Sequence, residues 1–282
     1  MCLGDHGFGE WKIPNFAGSL WVLRLGYMRL EVLNLACGQK FDNLTKHIKT
    51  VAPSTDIFCF QELLFGSKPE FTPIRKARVN LFEELEHILV DCNPYIYKAP
   101  ESARYFYHEL LPEGVQGGLA IFAKKTVQVG SDGGFRCYKW DNFPRFDFGA
   151  KLTGNCQWIE AGEYTIMNLH GIYQRDTNKA DTPERMVQAI ILKDFMNEHT
   201  GKLIIGGDFN LLPENESLKL IEGDMVNLVN KYKVETTRSS DYAGAHNKAD
   251  YILVSPDVKV KDFAVVDCDV SDHLPMVLDI SI

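Results

Sequence analysis

The chain has no C-x-x-C pair, no internal repeat, no low-complexity tract and no Pro/Gly/Ser-rich linker. Its seven cysteines, at positions 2, 37, 59, 92, 137, 156 and 268, are odd in number and scattered. A disulfide framework and a zinc ribbon are therefore both disfavoured, and a reducing, cytoplasmic compartment is expected. Long hydrophobic runs are also missing. The most apolar N-terminal stretch, Ile13 to Ala36, is interrupted by Arg24, Arg29 and Glu31, and it follows Asp5 and Glu10 where an export signal needs positive charge. Neither a membrane span nor a signal peptide is expected. Positive charge is scarce: 30 Lys and Arg stand against 38 Asp and Glu, a formal charge of -8. That balance argues against coating DNA or an anionic membrane by bulk electrostatics, although a bound metal can supply the missing charge locally in a nuclease. The sequence has no G-x-x-x-x-G-K-[ST] loop, no H-E-x-x-H and no G-x-S-x-G elbow, which disfavours a P-loop nucleotidase, a zinc protease and an α/β-hydrolase.

What is present describes a globular chain: 282 residues, 45% hydrophobic, enough to bury a large core. Residues 1–27 are glycine-containing and lack periodicity, so they read as an N-terminal appendage to one domain spanning 28–282. From Met28 onward, short apolar runs alternate with helix-period segments. Strands are expected over 29–35, Asp56 to Phe60, Gly118 to Ala123, Tyr164 to Leu169, Leu203 to Gly206, Ala249 to Val254 and Met276 to Ile280. Helical stripes are expected at Leu44, Ile48 and Val51, at Leu81, Leu85, Ile88 and Leu89, and at Met186, Ile190, Ile191 and Phe195. Thr182-Pro183 supplies a cap hydroxyl and a first-turn proline for the last of these. The alternation predicts an α/β protein.

Polar residues punctuate the strand ends. Asn34 follows the first strand, Gln61-Glu62 the second and His170 the run Ile166 to Leu169. Asp208-Phe209-Asn210 follows Leu203 to Gly207, Asp250 opens Tyr251 to Val254, and Ser271-Asp272-His273 precedes the last strand. Each taken alone has an ordinary reading as a turn or cap residue. Together they could converge on one rim of a sheet, as an active site requires. Hydrolysis of a phosphate ester needs such a set, since charge develops on the attacking and leaving oxygens and calls for a cation, a positioned water and a proton donor. Four carboxylates gathered without a cation would repel, by roughly 4 kcal/mol for a pair at about 4 Å and an effective dielectric of 20. A glycosidase would use two carboxylates but leave Asn34, Asn210 and His273 without a function.

In order and local text, Gly207-Asp208-Phe209-Asn210, Asp250-Tyr251 and Ser271-Asp272-His273 resemble the endonuclease/exonuclease/phosphatase superfamily of metal-dependent phosphoesterases, over Met28 to Ile282. The resemblance implies a four-layer α/β sandwich, two mainly antiparallel sheets face to face with helices outside. It implies that Glu62, Asn34 and Asp272 bind Mg²⁺ or Mn²⁺, oxygen ligands suiting such hard ions. Asp208 would orient or deprotonate the attacking water and Asn210 would hold it or a phosphate oxygen. His273, steered by Asp250, would bind the phosphate or move a proton, and His170 would contact substrate or protonate the leaving oxygen. The substrate expected first is nucleic acid, cleaved as a phosphodiester. The alternative is a phosphatase or sphingomyelinase-type hydrolase of small or lipid phosphate esters, and an alternative of another class is a catalytically inactive binding module of the same fold. No partner protein is indicated, and a monomer is expected.

Weaker signals accompany these. Glu101 is a candidate to orient His170, although an exposed loop glutamate is the simpler reading. Arg185 and Gln188, one turn apart, would support the loop below the site or else form a solvated helix face. Ser239, Ser240 and Asp241 lie in a polar loop suited to substrate contacts. The aromatic groups Tyr105 to Tyr107 and Tyr138, Trp140, Phe143, Phe146 and Phe148 are expected mainly to fill the core, and Lys68, Arg75, Lys76 and Arg78 to be solvated surface.

Overall fold

The computed structural model describes residues 26–71, 76–99, 105–106, 109–138, 153–174, 177–199 and 201–282. Two six-stranded sheets form its centre. In chain order the first contributors are β1 (Met28–Asn34), α1 (Phe41–Val51), β2 (Ile57–Phe65), α2 (Leu81–Ile88) and β3 (Cys92–Lys98). A short hairpin, β4 (Tyr105–Phe106) and β5 (Glu109–Leu110), precedes β6 (Gln116–Lys124), β7 (Val129–Arg136), β8 (Asn155–Ala161) and β9 (Tyr164–His170). There follow α3 (Pro183–Glu198), β10 (Lys202–Asp208), α4 (Glu216–Glu222), β11 (Val226–Asn227) and α5 (Leu228–Lys231). The chain closes with β12 (Asp250–Val254), β13 (Val260–Val265) and β14 (Met276–Ile280).

The sheets run β13-β14-β1-β2-β6-β3 and β11-β12-β10-β9-β8-β7. Each is antiparallel except for one central parallel pair, β1 with β2 and β9 with β10. A parallel pair cannot be joined by a hairpin, so a helix covers each crossover: α1 between β1 and β2, α3 between β9 and β10. The inner faces meet through Leu30, Val32, Cys59 and Ile121 from one sheet and Ile166, Ile204 and Ile252 from the other. At Gly206 a Cβ would lie 2.9 Å from Val32 Cγ2, so the absent side chain permits the close approach of the sheets. Leu44 and Ile48 of α1, with Leu81 and Leu85 of α2, cover the outer face of the first sheet together with Phe58 and Phe60. Ala189, Leu192 and Met196 of α3 and Leu218 and Ile221 of α4 cover the second. The result is the expected four-layer α/β sandwich. No helix among the described residues is long and apolar enough to cross a membrane, and the described cysteines are all free.

The expected strands are all present. Others were not foreseen: β3, β7, β8 and β13 lie toward the sheet margins. The α3 stripe needs correction. Its buried face is Arg185, Gln188, Ala189, Leu192 and Met196, while Ile190 is 46% exposed. Arg185 and Gln188 are therefore inside the protein and not on a solvated face. Arg78 is not simply solvated either, because it pairs with Glu84 at 2.6 Å and lies over the Phe41 and Phe71 rings. Glu101, Arg75, Tyr107, Trp140, Phe143, Phe146 and Phe148 fall outside the described residues.

Candidate active site

The rim is built on two strand-end rows. In the second sheet Asp208 is directly opposite His170 of β9 on one side and Asp250 of β12 on the other. In the first sheet Asn34 is opposite Gln61, and Glu62 follows at a break in the β2–β6 register. Register therefore brings residues far apart in sequence side by side. The backbone is unusual at these points: Glu62 (φ 56) and Asn210 (φ 53) are left-handed, a conformation that costs an ordinary residue roughly 1–2 kcal/mol. Gly207 (φ 146) has no alternative, since a Cβ there would sit 1.9 Å from the Leu169 carbonyl oxygen.

Hydrogen bonds fix each group. Asn34 Nδ2 donates to Glu62 Oε1 at 3.1 Å and to Asp208 Oδ2 at 3.3 Å, linking the two sheets across the rim. One layer deeper, Gln61 Nε2 donates to Asn168 Oδ1 at 2.6 Å, a second inter-sheet link, and Asn168 Nδ2 donates to the Phe60 carbonyl at 3.0 Å. The Asn210 backbone N–H donates to Asp208 Oδ1 at 3.0 Å, and Asn210 Nδ2 donates to the Gly171 carbonyl at 3.1 Å. His273 Nδ1 lies 2.6 Å from Asp250 Oδ1, whose other oxygen accepts from the Thr237 hydroxyl at 2.8 Å. Asp272 is the most open of the set, about one-third exposed, with Oδ1 at 3.8 Å from His273 Nε2. His170 Nε2 is 3.6 Å from Glu62 Oε1, so Glu62 is its carboxylate neighbour among the described residues.

Two buried cations were missed by the sequence reading. Arg238, carried by the loop before β12, contacts His273 Nε2 directly and approaches Asp208 Oδ1 at 3.6 Å and Asp250 Oδ2 at 3.5 Å. Its Nε has no hydrogen-bond partner, and its guanidinium lies over the Tyr242 ring at 4.7 Å. Lys179, from the turn between β9 and α3, is 7% exposed and donates from Nζ to Asn210 Oδ1 at 2.9 Å. Arg185 holds that turn from beneath: it donates to Thr177 Oγ1 at 3.0 Å and to the Ile172 carbonyl at 3.4 Å, and also contacts the Ala180 carbonyl. Gln188 Oε1 accepts from the Ile172 backbone N–H at 2.8 Å, so both residues support the segment below the site.

Charge follows this arrangement. Burial opposes ionisation of Asp208, but Arg238, Lys179, His273 and His170 outweigh it and hold the carboxyl far below its usual range. Burial also disfavours the charged imidazole of His273, as does Arg238; Asp250, Asp272 and Asp208 outweigh both and raise its pKa. Burial dominates at His170 and lowers its pKa despite Glu62 and Asp208, favouring a neutral ring. It likewise lowers Lys179 to about 8, against the pull of Asp208.

Donor atoms of Asp208, Asp250 and His273 lie within 4.8 Å of one another, a buried cluster able to hold a metal ion. Arg238 already contributes positive charge to those three. Among the described residues, Glu62 Oε1 accepts an amide hydrogen from Asn34 and lies 3.6 Å from His170 Nε2, and Oε2 has the Cys37 thiol at 3.9 Å. Burial, then the Glu62 and Asp272 carboxylates, push the Cys37 thiol well up in pKa. The oxygen donors of Glu62, Asn34 and Asp272 are of the kind that suits a hard divalent ion.

The polar loop divides. Ser239 is buried and its backbone N–H donates to the Asp272 carbonyl at 3.1 Å, Asp241 pairs with Lys40 at 2.5 Å, and Ser240 is exposed.

Residues 32–273 match the model of the endonuclease/exonuclease/phosphatase family. Among solved structures, an endonuclease/exonuclease/phosphatase family protein from Bacteroides thetaiotaomicron is similar at 18% identity and TM-score 0.64, covering 90% of this chain and 95% of that one. A mannosyl-6-phosphatase from the same species is similar at 16% identity and TM-score 0.59, covering 90% and 99%. A truncated TDP2 from Caenorhabditis elegans gives 16%, 0.59, 91% and 98%. At these identities the likeness is one of fold, and no curated protein matches in sequence. With its family model matched from β1 to His273 over the sandwich and rim described, the chain belongs to the endonuclease/exonuclease/phosphatase family.

Proposed function

We propose that the protein hydrolyses a phosphate ester by direct attack of water, with Mg²⁺ or Mn²⁺ held by Glu62, Asn34 and Asp272. The observation that supports this best is the convergence of Asp208, Asn210, Asp250 and His273 from one sheet with Asn34 and Glu62 from the other. A bound divalent ion would supply Lewis-acid stabilisation of negative charge on the phosphate.

The chain's own groups divide the remaining work. Asp208 stays ionised at neutral pH, so its carboxylate can accept a hydrogen bond from the attacking water and orient it. Asn210, gripped at both ends of its amide, fixes a position beside that water. Asp250 fixes the ring of His273 with Nδ1 facing it, which leaves Nε2 for a phosphate oxygen or a transferred proton. Arg238, in contact with Nε2, has guanidinium hydrogens able to donate to a phosphate oxygen there. His170, buried and neutral, serves as a hydrogen-bond donor to the leaving oxygen. Nucleic acid remains a candidate substrate on family grounds, and small phosphate esters are favoured by the acidic balance of the chain.

The test is a divalent-metal assay with bis-para-nitrophenyl phosphate, para-nitrophenyl phosphate, plasmid DNA, single-stranded RNA and a phosphocholine lipid in parallel. Turnover of at least one that requires the metal is expected. No turnover on any of them, with no metal binding by calorimetry, would support the inactive binding module.

A further inference from the structure

Lys179 is an unusual residue for its position. It is a lysine in left-handed backbone (φ 58), directly after left-handed Asn178 (φ 49), in a short turn where glycine would be unstrained. Residues 177–181 of the turn are nevertheless held by several contacts. Arg185 grips Thr177 and Ala180 from below, and Asn215 Nδ2 donates to the Lys179 carbonyl at 2.7 Å. Asp181 accepts from the Glu216 backbone N–H at 2.7 Å at the start of α4. The ammonium is buried, and among the described residues no carboxylate is in ion-pair contact with it: Asp208 acts on it from beyond hydrogen-bond reach, and its hydrogen bond goes to the neutral Asn210 amide. An ammonium has three donors, so two are left for another acceptor, and burying a cation this way is unfavourable unless an anion arrives.

We propose that Lys179 is a substrate-contacting residue, its ammonium binding one non-bridging oxygen of the reacting phosphate, and that it selects a terminal phosphate, as in a phosphomonoester, over an internal phosphodiester. The inference rests on the phosphoesterase reading of the same site. In an in-line displacement three oxygens lie equatorial to the attacking and leaving groups, and they carry the spread negative charge. A terminal phosphate offers all three unesterified; a diester has one of them bonded to its second organic group. Around Asp208 the protein provides three positively charged or ion-holding positions: Lys179 with Asn210, Arg238 with His273, and, for the divalent ion, Glu62, joined to Asp208 through the Asn34 amide, together with Asp272 beside His273. Each equatorial oxygen of a terminal phosphate then has its own partner. A diester would place an uncharged ester group on one of these positions, and at Lys179, which has no carboxylate in ion-pair contact among the described residues, the buried charge would be left without an anionic oxygen.

The experiment compares kcat/KM for para-nitrophenyl phosphate and bis-para-nitrophenyl phosphate, in saturating Mg²⁺ or Mn²⁺, for the wild type and Lys179→Met. It adds the inhibition constant of inorganic phosphate, which presents the same oxygens without a leaving group. The wild type should prefer the monoester. Lys179→Met should lower the monoester-to-diester ratio about 100-fold, the scale of losing one charge-stabilising donor, and should weaken phosphate inhibition at least about 10-fold. A 5′-phosphorylated oligonucleotide and a hexose phosphate distinguish the two sources of a terminal phosphate, and release of phosphate from either supports the inference. A wild type that prefers the diester overturns it, even if the variant fails to fold, as does an unchanged ratio in a folded variant. Absence of turnover on every ester marks instead the failure of the phosphoesterase reading, which removes the basis of this one as well.

Discussion

His273 Nδ1 lies 2.6 Å from Asp250 Oδ1, and both side chains are buried in contact with Arg238. The carboxylate determines which imidazole nitrogen faces the site. Asp250→Asn keeps the shape but can present an N–H where an acceptor is needed, reversing the tautomer of His273. We expect kcat to fall roughly 10²–10⁴-fold, with the circular dichroism spectrum unchanged. A kcat within a few-fold of wild type would show that Asp250 does not position His273.

Arg185 is predicted to be a determinant of stability with a consequence at the rim. Replacing it by Met removes the donor to Thr177, Ala180 and Ile172 and takes this partner from the buried Ile172 carbonyl. Loss of a buried partner costs about 1–3 kcal/mol, which denaturant unfolding should register. Because the same contacts hold the Lys179 turn, KM should rise in parallel at temperatures where the variant is folded.

The pH dependence of the Lys179 contact has a defined sign. Burial lowers the folded-state pKa to about 8, below the unfolded value of about 10.4. Between these limits the unfolded chain holds a proton that the folded chain has lost, so this group makes stability rise with pH across that window. Substrate binding runs the other way: the ammonium is present below pH about 8 and is lost above it. kcat/KM for a terminal phosphate should therefore decline above pH about 8, and Lys179→Met should flatten that limb and the stability rise together. A profile shared by wild type and variant would assign the limb to another group.

A divalent ion bound at Glu62 and Asp272 should also be visible without turnover. Ligand binding to the folded state stabilises it by about 2.7 kcal/mol at 100 times Kd, so added Mn²⁺ should raise Tm. Glu62→Gln should abolish most of that shift. An equal shift in the variant would move the ion to the Asp208, Asp250 and His273 cluster.

Much of this was legible in the sequence because strands leave strong local signals and family residues sit at their ends. Alternation of Leu30, Val32 and Asn34 on one face of β1 already points Asn34 between the sheets. Marginal strands were harder. β7, Val-Gly-Ser-Asp-Gly-Gly-Phe-Arg, has neither apolar alternation nor β-propensity, and it forms because β8 offers a full edge to pair with. Pro94 interrupts the pattern of β3, which is tolerated because that strand is the last in its sheet. The missing cations have a different cause. Lys179 in Thr-Asn-Lys-Ala-Asp reads as a polar turn, and Arg238 in Thr-Thr-Arg-Ser-Ser as an exposed loop; only tertiary packing turns them inward. Arg185 had a detectable signal, since it lies in register with Ala189, Leu192 and Met196 on the buried face of α3, but a stripe counted in apolar residues alone passes over it.

The most direct test of the central claim is turnover of a phosphate ester by the folded protein in Mn²⁺ and after chelation, with Asp208→Asn run beside the wild type. The account predicts turnover that needs the ion, disappears in chelator, returns when the ion is restored, and falls at least about 100-fold in the variant with Tm retained. Undiminished turnover in excess chelator, or a fully active Asp208→Asn protein, would contradict it.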